Sequence, residues 1–180
     1  MQCRRMGVSV DWERMYFTMD SNLTIAVKEA FVRLHEKKLI YRANRLVNWS
    51  CKMQTALSDI EVDYLDLTGP TKLRIPGHDS EYTFGVIESF SYKIENSDEE
   101  IIVATTRLET MLGDVAVAVN SKDPRYTHLV GKYLLHPFLD RRMPVIVDDA
   151  LVDMAFGTGA VKITPAHDPN DFECGLRHNL

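Results

Sequence analysis

The sequence contains little cysteine and no closely spaced cysteine pair. Its three cysteines, Cys3, Cys51 and Cys174, lie far apart among the 180 residues. Zinc sites and disulfide frameworks both need cysteines at short, recurring spacings, so the sequence predicts neither a metal site nor a disulfide. Free thiols suit a reducing compartment. We therefore expect a cytoplasmic protein that carries no structural metal.

Long apolar runs and a strong charge of one sign are also missing. No apolar stretch approaches the roughly 20 residues of a membrane-spanning helix. The start of the chain has neither the apolar core of a signal peptide nor a Ser/Arg-rich leader, which favours the cytoplasm over the mitochondrion. The formal net charge is −5, from 21 basic and 26 acidic residues. This balance argues against binding that rests on a strong positive field, although it permits a local basic rim.

Residues 1–55 have mixed α/β character. Asp20 or Ser21 can cap a helix. Apolar residues then recur with the three- and four-residue spacing of one helical face, namely Val27, Ala30, Phe31 and Leu34. Short extended pieces are predicted at 39–42 and 45–49. The segment by itself predicts a helix packed near a strand.

Residues 56–180 are richer in strands. Turn signals containing glycine, proline, asparagine and aspartate separate short apolar runs at 60–62, 71–75, 82–92, 101–105, 115–119 and 145–147. Strands at this spacing are typical of a barrel or a β-rich mixed domain. The predicted fold is therefore an α/β segment followed by a β-rich, barrel-like α+β domain, with the boundary at residue 55/56.

A dense polar cluster follows a glycine turn at 157–159, where a strand leads into a helix. Its members are Lys162, Thr164, His167, Asp168 and Asp171. Lys162 and Thr164 occupy alternate strand positions and point to one face, where buried polar groups need partners or a ligand. Asp168 is a good N-cap, and Pro169 suits the first helical position. The aspartates therefore either only start a helix or line a cleft, and local sequence leaves both interpretations open.

A second polar cluster lies at the end of the apolar strand 101–104. It consists of Thr105, Thr106, Arg107 and Thr110. Threonines are common in strands, and Arg107 with Glu109 can form a surface pair that contributes little. The same residues also suit hydrogen bonding to a small polar ligand. The turn 157–159 lacks the spacing of a P-loop or a dinucleotide fingerprint, so we interpret it as a tight turn.

Several segments in order resemble the valyl-tRNA synthetases, a family of class I aminoacyl-tRNA synthetases. The resemblance covers nearly the whole chain. It is carried by GVSVDWER (7–14), FTMD (17–20), LIYR (39–42), LVNW (46–49), TALSDIEV (55–62), TMLGD (110–114) and KITPAHDPND (162–171). Leucyl and isoleucyl relatives share this layout, whereas 110–114 and 162–171 look valyl.

The resemblance implies a division of the chain into parts of two domains. Residues 1–55 would belong to the Rossmann-like catalytic domain, and residues 56–180 to an editing domain that is truncated at the C-terminus, with its last helix cut off almost at once. Full-length relatives use ATP with Mg²⁺, but the chain contains neither the His-Ile-Gly-His-type nor the Lys-Met-Ser-Lys-Ser-type ATP motif. We therefore expect no aminoacylation, and no cofactor for this chain.

In this family the editing domain hydrolyses threonine mischarged onto tRNA(Val). A site that accepts valine cannot firmly reject near-isosteric threonine, a limit for which this family is itself the standard example. The expected partner is the 3′ end of tRNA(Val) carrying a threonyl or valyl ester, within a possible larger synthetase complex. The alternative is a non-catalytic remnant, or a module that binds tRNA or a partner protein.

The resemblance also implies roles for the residues of both clusters. Asp168 or Asp171 would hold the substrate ammonium, and Thr110 and Thr164 would engage the threonine hydroxyl. Lys162 would hold the adenosine or the ester. Arg107 shares that role, with Thr105 and Thr106 beside it. A positioned water would attack the ester, with His167 as a second-ranked general base. Leu108 replaces the proline that is usual in the family.

Overall fold

The computed structural model describes residues 2–180, which form two compact units that divide between Arg45 and Leu46. This division lies ten residues before the predicted boundary at 55/56. No helix within residues 2–180 is both long enough and apolar enough to cross a bilayer.

The first unit contains the predicted helix. Helix α1 spans Gln2–Arg5, a short 3₁₀ helix spans Trp12–Arg14, and α2 spans Ser21–Glu36. Asp20 precedes α2, but its carboxylate accepts a hydrogen bond from the Phe17 N–H and makes no capping bond to the helix. No residue of α2 is buried, and Val27 and Phe31 on its apolar stripe are each 64% exposed.

The second unit consists of ten strands, three 3₁₀ helices and one α-helix. Two hairpins come first, formed by β1 (Asn48–Ser50) with β2 (Thr55–Leu57) and by β3 (Thr71–Arg74) with β4 (Glu81–Phe84). The main sheet contains β5 (Glu88–Ile94), β6 (Glu100–Thr105), β7 (Ala116–Val119), β8 (Tyr133–Leu135), β9 (Arg142–Val147) and β10 (Ala160–Ile163). Helix α3 spans Pro169–His178, and the 3₁₀ helices span Asp59–Glu61, Leu108–Gly113 and Thr127–Leu129.

Two predicted strands differ in the structure. Ile60 and Glu61 lie in the 3₁₀ helix Asp59–Glu61, and Val62 ends it, because Ser58 and Glu61 form a capping box that favours a helical turn there. The run 82–92 splits into β4 and β5 at Gly85. This glycine has φ of +75°, and a Cβ there would lie 2.6 Å from the Gly69 carbonyl oxygen. Strands β2 and β8 were not predicted.

The main sheet is nearly closed. Its strand order is β10-β7-β9-β8-β5-β6, and every pairing is antiparallel except the parallel pair β7 and β9. The edge strands β6 and β10 also lie close together, which gives the sheet its barrel-like form. The predicted succession of an α/β part and a β-rich, barrel-like part is confirmed at this level.

Strand β7 is buried on both faces and organises two apolar clusters. Val117 and Val119 point into the sheet interior, where they pack with residues of the other main strands. Ala116 and Ala118 point to the opposite face and pack with Ile163 and, on α3, with Cys174. The alternation of a strand thus assigns one set of side chains to the interior and the other to the helix.

Helix α3 is better supported than expected. Asp168 caps its N-terminus, Pro169 occupies the first helical position, and Asn179 ends it in the left-handed conformation with φ of 56°. The expectation of a helix cut off almost at once was wrong, because α3 runs for ten residues and is capped at both ends.

Candidate active site

The two polar clusters predicted from the sequence line one cavity, here called the polar cavity. It has a volume of about 390 Å³ and lies where the end of β6, the 3₁₀ helix 108–113, β10 and the start of α3 meet. All nine predicted site residues line it: Thr105, Thr106, Arg107, Thr110, Lys162, Thr164, His167, Asp168 and Asp171. This volume suits a small ligand.

Lys162 lies at the buried base of the polar cavity, with 7% of its surface exposed. Its ammonium donates to Thr110 Oγ1 at 2.8 Å, to Thr164 Oγ1 at 2.6 Å and to Asp114 Oδ1 at 3.0 Å. A lysine ammonium has three N–H donors, so all of them are used within the protein. Direct contact with a ligand would require one of these bonds to break.

Asp114 is the residue of this site that sequence reasoning missed. It is fully buried, and its two carboxylate oxygens accept from Lys162, from the hydroxyl of Thr164 and from the hydroxyl of Tyr92, the last at 2.6 Å. Burial and the neighbouring Asp114 raise the pKa of the Tyr92 hydroxyl, which therefore stays protonated. The available signal was Lys162 itself, because a lysine on an apolar strand needs a buried counter-charge.

Asp171 is the second buried carboxylate of the polar cavity, with 8% of its surface exposed. Its Oδ2 accepts the backbone N–H of Thr164 at 2.8 Å, which joins the start of α3 to the end of β10. Burial raises the pKa of Asp171 to about 6, and the charges of Asp168 and Asp114 act in the same direction. A cation that entered the cavity would therefore stabilise the ionised form.

Asp168 and His167 lie at the exposed side of the same cavity. One oxygen of Asp168 accepts from the N–H groups of Asn170 and Asp171, at 2.8 and 3.2 Å, so this carboxylate does cap α3. Its other oxygen makes no bond to residues 2–180. The His167 ring lies near Gly113, where an added Cβ would come within 3.3 Å of it. Capping and cavity lining are therefore compatible for Asp168.

The rim of the polar cavity carries the second cluster. Thr105 Oγ1 accepts the N–H of Arg107 at 3.0 Å, and Thr106 is exposed. Arg107 pairs with Glu109 at 3.2 Å, with side chains 58% and 70% exposed, as a surface pair of little energetic weight. The 3₁₀ helix that follows forms with Leu108 at its first position, so it does not require the family's usual proline.

The hairpin between β8 and β9 holds the 3₁₀ helix in place. His136 Nε2 donates to the carbonyl of Met111 at 2.9 Å. Arg141 donates to the carbonyls of Leu112 and Asp114, at 3.3 and 2.7 Å. These bonds fix the segment that carries Thr110, which lines the polar cavity, and Asp114, which lies buried behind Lys162.

The glycine turn before β10 closes the cavity on another side. Gly157 and Gly159 have φ of +59° and +77°, values that favour glycine. The Arg125 guanidinium pairs with Asp123 at 2.6 Å and donates to the Met154 carbonyl at 3.0 Å, which places it over Gly159. The interpretation of 157–159 as a tight turn agrees with this geometry.

One further polar group, outside the cavity, has the composition of a metal site. Within residues 2–180, the ligand atoms of Asp148, Cys174 and His178 lie within 4.8 Å of one another. However, the Arg177 guanidinium bonds Asp148 at 2.7 and 3.0 Å. Burial, and a hydrogen bond to Asp148, raise the pKa of the Cys174 thiol to about 12, whereas metals bind the thiolate. The group therefore serves as an anchor for the end of α3.

The family model and closely similar sequences indicate the same family. The family model of class I tRNA synthetases (I, L, M and V) matches residues 1–167. The valine–tRNA ligase of Takifugu rubripes is 60% identical over 179 residues, which is 99% of this chain and 15% of that protein. The Homo sapiens valine–tRNA ligase is 61% identical over 181 residues, or 99% and 14%. The chain thus spans about 15% of the length of its curated relatives.

Two proteins of lower sequence identity are also similar to this chain. The mitochondrial valine–tRNA ligase of Saccharomyces cerevisiae is 56% identical over 179 residues, which is 99% of this chain and 16% of that protein. Among solved structures, a chain of the ternary complex of Agrobacterium radiobacter LeuRS with tRNA and LeuAMS is 19% identical, with a TM-score of 0.44. That match covers 99% of this chain and 30% of the other.

Proposed function

The chain belongs to the class I tRNA synthetases, within the valine–tRNA ligases, and from that premise we propose that its polar cavity hydrolyses threonine mischarged onto tRNA(Val). One observation carries the proposal. Nine residues from two distant parts of the sequence converge on one cavity of about 390 Å³. A polar cavity with a buried carboxylate suits a small substrate that carries an ammonium and a hydroxyl, as a threonyl ester does.

Asp171 is the proposed partner of the substrate ammonium. Its carboxylate is buried, and a charge-assisted hydrogen bond is strongest where water is excluded. Asp168 is exposed and already caps α3, so it contributes mainly to the negative potential at the entrance. This assignment chooses between the two aspartates that the sequence left open.

Thr110 and Thr164 are the proposed contacts for the substrate hydroxyl. Both are buried at the base of the polar cavity, and Lys162 holds both hydroxyls in fixed positions. Thr105, Thr106 and Arg107 lie at the rim, where the guanidinium can face the ribose and phosphate of the terminal adenosine.

Hydrolysis needs only a positioned water. The water oxygen bonds to the ester carbonyl carbon, the C–O bond to the ribose breaks, and the ribose oxygen leaves with a proton. An aminoacyl ester is an activated bond, so holding water and ester together supplies much of the rate. His167 faces the same cavity with a ring that makes no hydrogen bond to residues 2–180, and it is a second-ranked general base.

The remaining family properties are proposals for the whole protein. These are the ligase reaction with ATP and Mg²⁺, binding of tRNA(Val), and membership of a larger synthetase complex. A cytoplasmic location also stays a prediction, because the relatives include mitochondrial ligases.

The direct test is deacylation. The 180-residue chain is incubated with threonyl-tRNA(Val) and valyl-tRNA(Val), and release of each amino acid is followed. We expect faster release of threonine, and loss of that difference in Asp171→Ala. Glu173→Gln is the matched control, because it removes a carboxylate from an exposed position of α3 that does not line the cavity. Equal release at the background rate from both substrates would contradict the proposal.

A further inference from the structure

We propose that Asp114 is a positioning residue that fixes the direction of the Thr164 hydroxyl, so that Thr164, like Thr110 beside it, can only accept a hydrogen bond from a ligand. The inference rests on the proposed function and adds the rule by which the cavity selects its substrate. The rule is that the substrate side chain must donate an O–H. The cavity thus recognises a hydrogen-bond donor on the substrate side chain, and neither the polarity nor the size of that side chain is sufficient.

The direction of each bond follows from chemistry alone. A lysine ammonium has no acceptor, so Lys162 donates to both threonine hydroxyls. An ionised carboxylate has no donor, so the Thr164 hydroxyl donates to Asp114. A backbone carbonyl also only accepts, so the Thr110 hydroxyl donates to the Arg107 carbonyl, at 2.9 Å.

The hydrogen bonds that the two hydroxyls can still form are therefore fixed. A hydroxyl has one donor and two acceptor lone pairs. Thr110 and Thr164 have each used the donor and one lone pair, which leaves each with a single free lone pair. A ligand hydroxyl can donate to that lone pair, whereas a methyl group or a fluorine atom cannot.

This geometry changes the expected basis of selectivity. Within residues 2–180, every buried side-chain polar atom has a hydrogen-bond partner. A valyl ester would therefore leave none of these groups newly unpaired. It would instead bind without the one additional hydrogen bond that a threonyl ester gains, which corresponds to about tenfold in affinity.

Asp114 maintains this arrangement because it is the counter-charge of Lys162. It accepts from the ammonium and from the Thr164 hydroxyl with the same oxygen, Oδ1. An asparagine at this position can donate as well as accept a hydrogen bond. The Thr164 hydroxyl would then be free to reorient.

The following variants distinguish a change in hydrogen-bond direction from a loss of folding. Asp114→Asn removes the counter-charge, and the double variant Asp114→Asn/Lys162→Met removes both charges and so avoids an unpaired buried ion. Tyr92→Phe is the matched control, because it deletes a hydrogen bond to the other oxygen of Asp114 but leaves the charge pair intact. Thermal melts establish which variants are folded.

Binding of non-hydrolysable 3′-amide analogues of aminoacyl adenosine tests the rule by calorimetry. The analogues carry threonine, valine, or threonine with fluorine in place of the hydroxyl. We expect the wild-type chain and Tyr92→Phe to prefer the threonyl analogue about tenfold over both others. We expect the double variant to show a smaller preference, because only the Thr110 hydroxyl keeps its fixed direction through the Arg107 carbonyl. Equal binding of the threonyl and fluoro analogues by wild type would overturn the donor rule, and a full preference in the folded double variant would overturn the role of Asp114.

A spectroscopic measurement adds a readout that a merely structural role would not move. In ¹H NMR, the Thr164 hydroxyl proton should be protected from exchange in wild type and Tyr92→Phe but not in Asp114→Asn, because Asp114 is its acceptor. An unchanged hydroxyl signal in folded Asp114→Asn would also overturn the proposal. Failure of the proposed function has a different signature, namely a threonyl preference in binding with no hydrolysis of threonyl-tRNA(Val).

Discussion

Asp171 lies at a buried position that disfavours the ionised form of its carboxyl group. Burial raises its pKa to about 6 from a normal value of 3.8. The unfolded chain ionises this group at the lower value, so the stability that its protonated form provides is full below pH 3.8 and is lost as pH rises through about 6. At neutral pH the ionised Asp171 carboxylate therefore destabilises the folded protein. Such perturbed groups are common at functional sites, including those that bind a cation.

Replacing Asp171 with asparagine should raise stability while it removes function. The amide oxygen can still accept the Thr164 N–H, and the buried charge disappears. We expect the free energy of unfolding at pH 8 to rise by about 1–3 kcal/mol. Chemical denaturation at pH 8 and pH 4 checks this, since the gain should vanish at pH 4. A variant that is less stable than wild type at pH 8 would contradict the assignment.

The pH dependence of deacylation should follow the same carboxyl group. The ionised form binds the substrate ammonium, so kcat/KM for threonyl-tRNA(Val) should rise as pH increases through about 6. Asp171→Asn should lower kcat/KM by about 10- to 100-fold, the effect of one charge-assisted hydrogen bond. Glu173→Gln should leave both the rate and the profile unchanged. A wild-type profile that is flat between pH 5 and 7.5 would exclude Asp171 from this role.

At the scale of the element, the glycine turn before β10 tests how the polar cavity is closed. Gly157 and Gly159 both have positive φ, but only Gly159 is covered by a side chain. A Cβ at Gly159 would lie 2.3 Å from Arg125 Nη2, whereas at Gly157 the nearest atom is 4.0 Å away. Gly157→Ala is thus a matched control that carries the backbone strain alone.

We expect Gly157→Ala to lower the free energy of unfolding by about 1–2 kcal/mol through backbone strain. Gly159→Ala should lower the free energy of unfolding further, because Arg125 must leave Asp123 and the Met154 carbonyl. Urea denaturation measures both. Within the Arg125→Ala background, Gly159→Ala should cost no more than Gly157→Ala, and equal losses in the two single glycine variants would show that Arg125 does not hold the turn.

The end of α3 is held by a second buried carboxylate. Burial alone would raise the pKa of Asp148, but hydrogen bonds from Arg177, Cys174 and the Leu151 N–H lower it to about 2. The unfolded value is 3.8, so the stabilisation from this pair is present above pH 3.8 and is lost as pH falls through about 2.

Arg177→Met should therefore lower the free energy of unfolding at pH 7, but only modestly because 43% of the arginine side chain is exposed. The loss should shrink as pH falls toward 2, which denaturation at pH 7 and pH 2.5 would measure. A loss that does not depend on pH would assign the effect to packing of the arginine chain.

On the scale of the whole molecule, the two units differ in what they bury. The nearly closed sheet of residues 46–180 has an apolar interior, with Val117 and Val119 fully buried on β7. Helix α2 in the first unit has no buried residue, and Phe31 is 64% exposed. Stability in the isolated chain should therefore reside in the second unit.

Hydrogen exchange should show this division directly. We expect amides of β7 to exchange only with global unfolding, and amides of α2 to exchange fastest among the helices and strands longer than six residues. Thermal unfolding of the second unit should be cooperative. A broad, non-cooperative melt with unprotected β7 amides would instead support the alternative of a non-catalytic remnant.

Much of the site and part of the fold were predictable because they are encoded locally. The capping pattern from Asp168 to Pro169 marks the start of α3, and alternation places Lys162 with Thr164. The prediction of a strand at 60–62 was wrong, because the apolar pattern there overlaps a helix-capping box. Strand β8 was missed because three residues carry too little periodicity for a prediction.

The sequence by itself determined the family, the β-rich character of the second unit and the nine residues that line the polar cavity. Only the tertiary structure decided that the two polar clusters line a single cavity and that Asp114 lies buried behind Lys162 and Thr164. It also decided that Lys162 has no donor left and that Asp171 is buried. The reason is physical. Strand and helix patterns depend on neighbours along the chain, whereas burial and the pairing of Lys162 with Asp114, 48 residues apart, exist only once β7 and β10 are side by side.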